Sequence, residues 1–254
     1  MFMDLAGERY YVIHNVDRMQ PFLSSVISDV DHWLFVSSNG GLTAGRVSPA
    51  TALFPYITVD KIHDSVTHTG CITIVRVTQD RFQTPWEPFN TEHDGRFSTS
   101  RNLYKSILGN KISFEEINHD LKLAFRYTWT TSDEYGFVRQ CELRNLGDSM
   151  AHLDLVDGFR NILPAGTPLF AQTNTSNLVN AYKWSELDAS TSVALFALYS
   201  GITDRAEPSE SLKATTVFSL GLQHHKILLS TEQLEQFRLG QDVEQEVHRR
   251  GIRC

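Results

Sequence analysis

Residues 111–129 constrain the fold more than any other stretch. From Lys111 to Ile117 the residues alternate, with Ile112 and Phe114 opposed to Ser113 and Glu115. Asn118-His119-Asp120 then supplies short polar side chains that satisfy nearby backbone groups in a tight turn. The next run puts Leu121, Leu123, Phe125, Tyr127 and Trp129 on one face and Lys122, Arg126 and Thr128 on the other, with Ala124 neutral. A period of two belongs to a strand. A strand with one apolar face buries it against a second layer of structure.

The same signature, with β-branched and aromatic enrichment, predicts strands at Tyr10–Ile13, His32–Ser37, Cys71–Val77, Phe137–Leu143 and His152–Val156. Later strands are expected at Val193–Tyr199, Thr215–Leu220 and Ile227–Leu229. Turns are expected at 133–136 and 145–148, and irregular stretches at 39–55, 82–101 and 163–177. Strands joined by short turns argue against a βαβ fold. No G-x-G-x-x-G follows a strand and no G-x-x-x-x-G-K-[ST] loop is present. The expected fold is mostly β, an antiparallel two-sheet sandwich.

Helix is scarce. Ser230 and Gln233 have capping-box spacing, and Leu234 and Phe237 then share a face, so a short C-terminal helix is expected. Gly240 weakens it, and residues 247–254 suggest no complete element. The reading is therefore a β domain over 1–229 and a helical segment over 230–254.

Composition narrows the function classes. Hydrophobic residues make up 41% of the 254, enough for a sizeable core, and charged residues 21%, too few for wholesale disorder. A net charge of −7 without a basic stripe disfavours nucleic acid and anionic membrane as partners. No run of about 18 apolar residues would span a bilayer. The first ten residues hold Asp4, Glu8 and Arg9 and lack an apolar signal region, so a cytoplasmic location is expected. Cys71, Cys141 and Cys254 are far apart and read as reduced thiols. The dispersed histidines, including His63, His119, His152 and the His224-His225 pair, show no metal-ligand spacing, so neither metal nor cofactor is expected. No G-x-S-x-G elbow is present.

Four groups of residues carry possible chemistry. In Ser38–Arg46, Gly40, Gly41 and Gly45 allow close approach of backbone to another surface. Asn39 and Arg46 there would hold a sugar hydroxyl or an anion, although a purely structural turn is the commoner role of such a segment. Trp86-Glu87-Pro88-Phe89 joins an aromatic platform to a carboxylate. Sugar rings stack apolar C–H faces on such rings while carboxylates accept from hydroxyls, against the competing reading of buried loop packing. Tyr182, Trp184 and Glu186 offer the same combination. The carboxylate pairs Asp29/Asp31, Glu115/Glu116 and Asp154/Asp157 would serve glycoside hydrolysis only at a suitable separation, and surface solvation is their commoner role.

Four strings together carry a family resemblance. They are Asp31–Arg46 (DHWLFVSSNGGLTAGR); Ala52–Tyr56 followed by Asp60–Asp64; Arg101–Lys105 with Gly109-Asn110-Lys111; and Glu207–Thr216. Over nearly its whole length the chain resembles the N-terminal region of large bacterial proteins similar to cellobiose phosphorylase and cyclic β-1,2-glucan synthase. The resemblance implies a β-supersandwich of the galactose-mutarotase-like type. In that family a helical linker and an (α/α) barrel follow, and the barrel carries the catalytic acid and the phosphate-binding residues. No catalytic residue therefore transfers to this chain, and phosphorylase or hydrolase activity without the barrel is in doubt. The implied role is a non-catalytic domain that supports or shapes a sugar site, with Asn39, Arg46, Trp86 and Glu87 as candidate substrate contacts. The implied partners are a glucose-based oligosaccharide, the barrel and, in a homodimer, a second copy. Two alternatives stand beside it. One is a stand-alone sugar epimerase or glycosidase, which needs a histidine such as His63 or His152 and a carboxylate in one cleft. The other is an assembly module that binds no sugar.

Overall fold

The computed structural model describes residues 2–5, 7–79, 82–201 and 213–251. Strand accounts for 45% and helix for 17%, which places the protein in the antiparallel β class. The strands are β1 (Phe2–Leu5), β2 (Glu8–His14), β3 (Leu23–Val26), β4 (His32–Ser37), β5 (Leu42–Arg46), β6 (Gly70–Gln79), β7 (Phe82–Trp86) and β8 (Thr99–Ser106). They continue with β9 (Ile112–Asn118), β10 (Leu123–Ser132), β11 (Gly136–Asn145), β12 (His152–Arg160), β13 (Lys183–Asp188), β14 (Val193–Leu198), β15 (Thr215–Phe218) and β16 (His248–Arg250). Among the described residues four short α-helices accompany them, α1 (Val59–Ile62), α2 (Leu169–Asn174), α3 (Ser176–Tyr182) and α4 (Thr231–Arg238), together with short 3-10 segments. None of the described helices is long and apolar enough to cross a membrane.

Hydrogen bonding distributes these strands over four sheets, ordered β1-β2-β8-β9-β10-β11, β12-β6-β7, β3-β4-β5 and β15-β14-β13-β16. The chain forms two compact units interleaved in sequence. The first takes Met1–Thr43, Ile57–Thr67 and Cys71–Asp157, and the second Ala44–Tyr56, His68–Gly70 and Gly158–Cys254.

In the first unit the expected hairpin is realised, but Leu121 and Lys122, read as strand, lie in its turn, and β10 begins at Leu123. β9 and β10 pair antiparallel, with Ile112 opposite Trp129 and Phe114 opposite Tyr127. One face of the six-stranded sheet therefore carries Phe114, Glu116, Phe125, Tyr127 and Trp129, all buried. Phe89, just beyond β7, closes on this face with its ring centroid 5.3 Å from that of Tyr127 and 6.4 Å from those of Phe114 and Phe125. Arg139 of β11 reaches Asp157 of β12 at 2.7 Å and Thr73 of β6 at 3.2 Å, tying the same face to the second sheet.

The other face of β9 carries Glu115, whose carboxylate accepts from Tyr104 (2.6 Å), Asn102 (3.0 Å), Arg126 (2.6 Å) and Arg144 (2.6 Å). A buried charge with this many donors is satisfied rather than orphaned. Burial, and after it the hydrogen bond to Glu115, pushes Tyr104 up to about 12, so it stays a donor.

In the second unit β13 and β14 form a hairpin in which Lys183, Ser185 and Leu187 point inward, as do Ala194, Phe196 and Leu198. The buried Lys183 ammonium donates to the Ile162 carbonyl and lies 5.2 Å from the Phe196 ring centroid. Asp188 closes the hairpin by accepting from Ser190 and Thr191.

Several sequence expectations change. The stretches read as irregular hold β5, β7 and α2, together with the start of β8, because Thr, Gly and Gln at strand positions break the apolar alternation. Ile227–Leu229 makes no strand pairing. The C-terminal helix starts where expected, with the capping box of Ser230 and Gln233 in place. It closes after Arg238, with Gly240 at φ 77° just beyond, so that glycine sits past the helix end rather than weakening its interior. Residues 248–250, read as no element, form the edge strand β16 against β13. Of the fourth family string, Glu207–Leu212 lies outside the described residues, as does Cys254. Cys71 and Cys141 are in no disulfide.

Candidate functional site

The four predicted sugar contacts have separate fates. Trp86 is 1% exposed, and its indole N–H is spent on Glu116 Oε1 at 2.8 Å. The expected aromatic platform is thus a core side chain, out of reach of any sugar face. Glu87 is buried as well, and its carboxylate accepts from Asn90. Asn39 uses both ends of its amide locally. Its Nδ2 donates to the His63 carbonyl at 2.9 Å and its Oδ1 accepts from Gly41 N–H at 3.2 Å. Ser37 Oγ shares a 2.6 Å hydrogen bond with His63 Nδ1. Together these contacts clamp the turn after β4 to residues 62–65. Gly41 shows why glycine is needed there: a Cβ would fall 2.1 Å from the Ile62 carbonyl oxygen. Arg46, at the end of β5, is exposed.

The carboxylate pairs do not form catalytic dyads. Glu115 and Glu116 are neighbours on one strand, so they point to opposite faces of the sheet, each into its own set of donors. Asp154 and Asp157 are an odd number apart in β12 and take different partners, Arg76 and Arg139. Asp29 and Asp31 precede β4 and share no strand. Among the described residues no group of three or more His, Cys, Asp or Glu side chains is placed to hold a metal.

The remaining combination, Tyr182, Trp184 and Glu186, is brought into the open. Trp184 and Glu186 lie on the outer face of the β15-β14-β13-β16 sheet, where the strand period puts both side chains in one row, and Tyr182, the last residue of α3, immediately precedes β13. Pairing adds the rest. Tyr199 N–H donates to the Tyr182 carbonyl just past the end of β14, and the two rings stand 5.1 Å apart. Across β16, Arg250 is opposite Trp184 and His248 opposite Glu186. The Arg250 guanidinium lies 4.3 Å from the Trp184 ring centroid and 5.8 Å from that of Tyr199. His248 runs nearly parallel to the Trp184 ring, at 5.9 Å and 17°. Trp184 Nε1 donates to Glu186 at 3.3 Å.

Tyr199 is 54% exposed and Arg250 and Glu186 are exposed, while Trp184 and Tyr182 are half-buried. The result is a shelf with an open aromatic surface, a cationic donor and an anionic acceptor side by side. Sequence reasoning had the β13 residues but missed Tyr199, His248 and Arg250, for which no local pattern marks the cross-strand neighbours.

No protein-family model matches the chain, and no curated protein matches it either. The class defined by the structure is a mostly β protein of antiparallel sheets with an aromatic and charged shelf on an outer sheet face.

Proposed function

We propose that this chain is a non-catalytic, carbohydrate-associated β domain that contacts sugar through the shelf around Trp184, Tyr199 and Arg250. Its role is to support or shape the sugar site of a glycoside phosphorylase- or hydrolase-like (α/α) barrel, where the chemistry resides. The observation that carries this reading is the run of contacts Tyr182–Tyr199–Arg250–Trp184, with Glu186 beside it, in which Tyr199, Arg250 and Glu186 are open to solvent. Aromatic rings offer stacking surface to the apolar faces of pyranose rings, and the flanking guanidinium and carboxylate supply a donor and an acceptor for ring hydroxyls. The family resemblance of the sequence supports the same reading.

The test is saturation-transfer NMR of the purified chain with glucose, cellobiose and short β-linked glucans. Saturable transfer that disappears in Tyr199→Ala and Trp184→Ala, but persists in Trp86→Phe, is the expected result. Absence of transfer from every sugar refutes the reading.

A further inference from the structure

On the sugar-contacting reading of this shelf, we infer that its ligand is an acidic glycan, one whose uronate carboxylates are gripped by Arg250.

The argument begins with β16. Arg249 and Arg250 are adjacent on a strand and so point to opposite faces. Arg249 takes the available acids: it pairs with Glu246 and donates to Glu232 at 2.7 Å, and these hydrogen bonds, led by that to Glu246, raise its pKa further. Arg250 takes none of them. Its contacts are the faces of Trp184 and Tyr199, and among the described residues it has no carboxylate partner. Glu186, on the neighbouring strand β13, is engaged by the Trp184 indole and stands in register with His248 instead.

Stacking matters chemically. A guanidinium that lies on an aromatic ring uses its flat face, while its five N–H groups point outward in the plane. Two of them match the two oxygens of a carboxylate in a fork geometry that a neutral hydroxyl does not fill. The stack also holds the cation in place, so less freedom is lost when a ligand binds. Tyr199, with more than half its surface open, lies beside the guanidinium and gives the attached pyranose ring a surface to rest on. A ring bearing a carboxylate satisfies both elements at once.

The test is calorimetric titration of the full chain with oligogalacturonate, with cello-oligosaccharide of equal length and with oligoglutamate, at low and at raised salt. Oligogalacturonate is expected to bind about tenfold more tightly than cello-oligosaccharide, the gain of one charge-assisted bidentate contact. Arg250→Gln is expected to weaken oligogalacturonate binding about tenfold more than cello-oligosaccharide binding, so that the preference is lost, and salt erodes the preference in the wild type. Equal affinity for the two glycans, with no effect of Arg250→Gln, overturns the acidic-glycan inference while leaving the sugar-contacting role intact. Oligoglutamate binding as tightly as oligogalacturonate also overturns it, because the site then reads carboxylate without sugar. Failure of both glycans to bind overturns the inference together with the proposed function.

Discussion

The indole N–H of Trp86 donates to Glu116 Oε1 at 2.8 Å, with both side chains withdrawn from solvent. The second oxygen of Glu116 accepts from Phe89 N–H and from Arg101 Nε, each at 2.7 Å. One buried carboxylate thus joins the end of β7, the loop after it and two strands of the large sheet. Removing it leaves the indole donor unpaired in the interior and takes from Arg101 its buried carboxylate, with only the more exposed Asp94 left to pair with it. Glu116→Ala is expected to destabilise the chain by about 3–5 kcal/mol. Trp86→Phe, which keeps an aromatic ring but deletes the donor and some buried volume, is expected to cost about 1–3 kcal/mol or more. Urea unfolding monitored by far-UV circular dichroism measures both.

Glu115 makes stability depend on pH with a definite sign. Burial raises its pKa, but hydrogen bonds from Tyr104, Asn102 and Arg126, with the charge of Arg126, outweigh burial and hold it below the ordinary 4.5. A folded-state pKa below the unfolded one contributes stability above the unfolded value and loses it as pH falls through the folded one. The wild type is therefore expected to exceed Glu115→Gln by about 1–3 kcal/mol at neutral pH. That gap begins to close near pH 4.5 and shrinks further in acid. Melting temperatures of both proteins from pH 7 to pH 3 check this, and a gap that widens in acid contradicts it.

Gly41 is packed against the Ile62 carbonyl more tightly than any other side chain allows. Gly41→Ala drives a methyl group into backbone and is expected to cost about 1–3 kcal/mol or more. The damage is local to the clamp between the turn after β4 and residues 62–65. Amide exchange at Asn39 and Gly41 should accelerate before that of the β9–β10 hairpin.

Gln233 is buried and serves three backbone groups. Its Oε1 accepts from Leu229 N–H at 2.9 Å and Ser230 N–H at 3.1 Å, and its Nε2 donates to the Glu244 carbonyl at 2.7 Å. It fastens the start of α4 to the segment that leads into β16. Gln233→Ala leaves these groups unpaired, at an expected cost of about 1–3 kcal/mol. Because β16 carries Arg250, the same variant should weaken sugar binding, and two-dimensional NMR would locate the disturbance at residues 229–230 and 244–250.

Local pattern and tertiary context divide the explanation of this protein between them. The alternation at 111–129 determined a hairpin and which of its residues share a face, because strand geometry ties face to parity over a few residues. The Ser230–Gln233 spacing determined where α4 begins, and the glycines at 40 and 41 announced a close approach of backbone. These signals are short-range and need no partner to be read. The use made of each charged or aromatic side chain was decided only by the tertiary structure. Trp86 and Trp184 sit in similar sequence settings, each with a carboxylate nearby, yet one is buried with its indole N–H on Glu116 and the other lies on an open sheet face. Arg250 acquires its place over Trp184 through pairing between strands more than sixty residues apart. Burial and partnership of this kind come from chain segments distant in sequence, and the free energy of a charge or a ring depends on them more than on its neighbours along the chain.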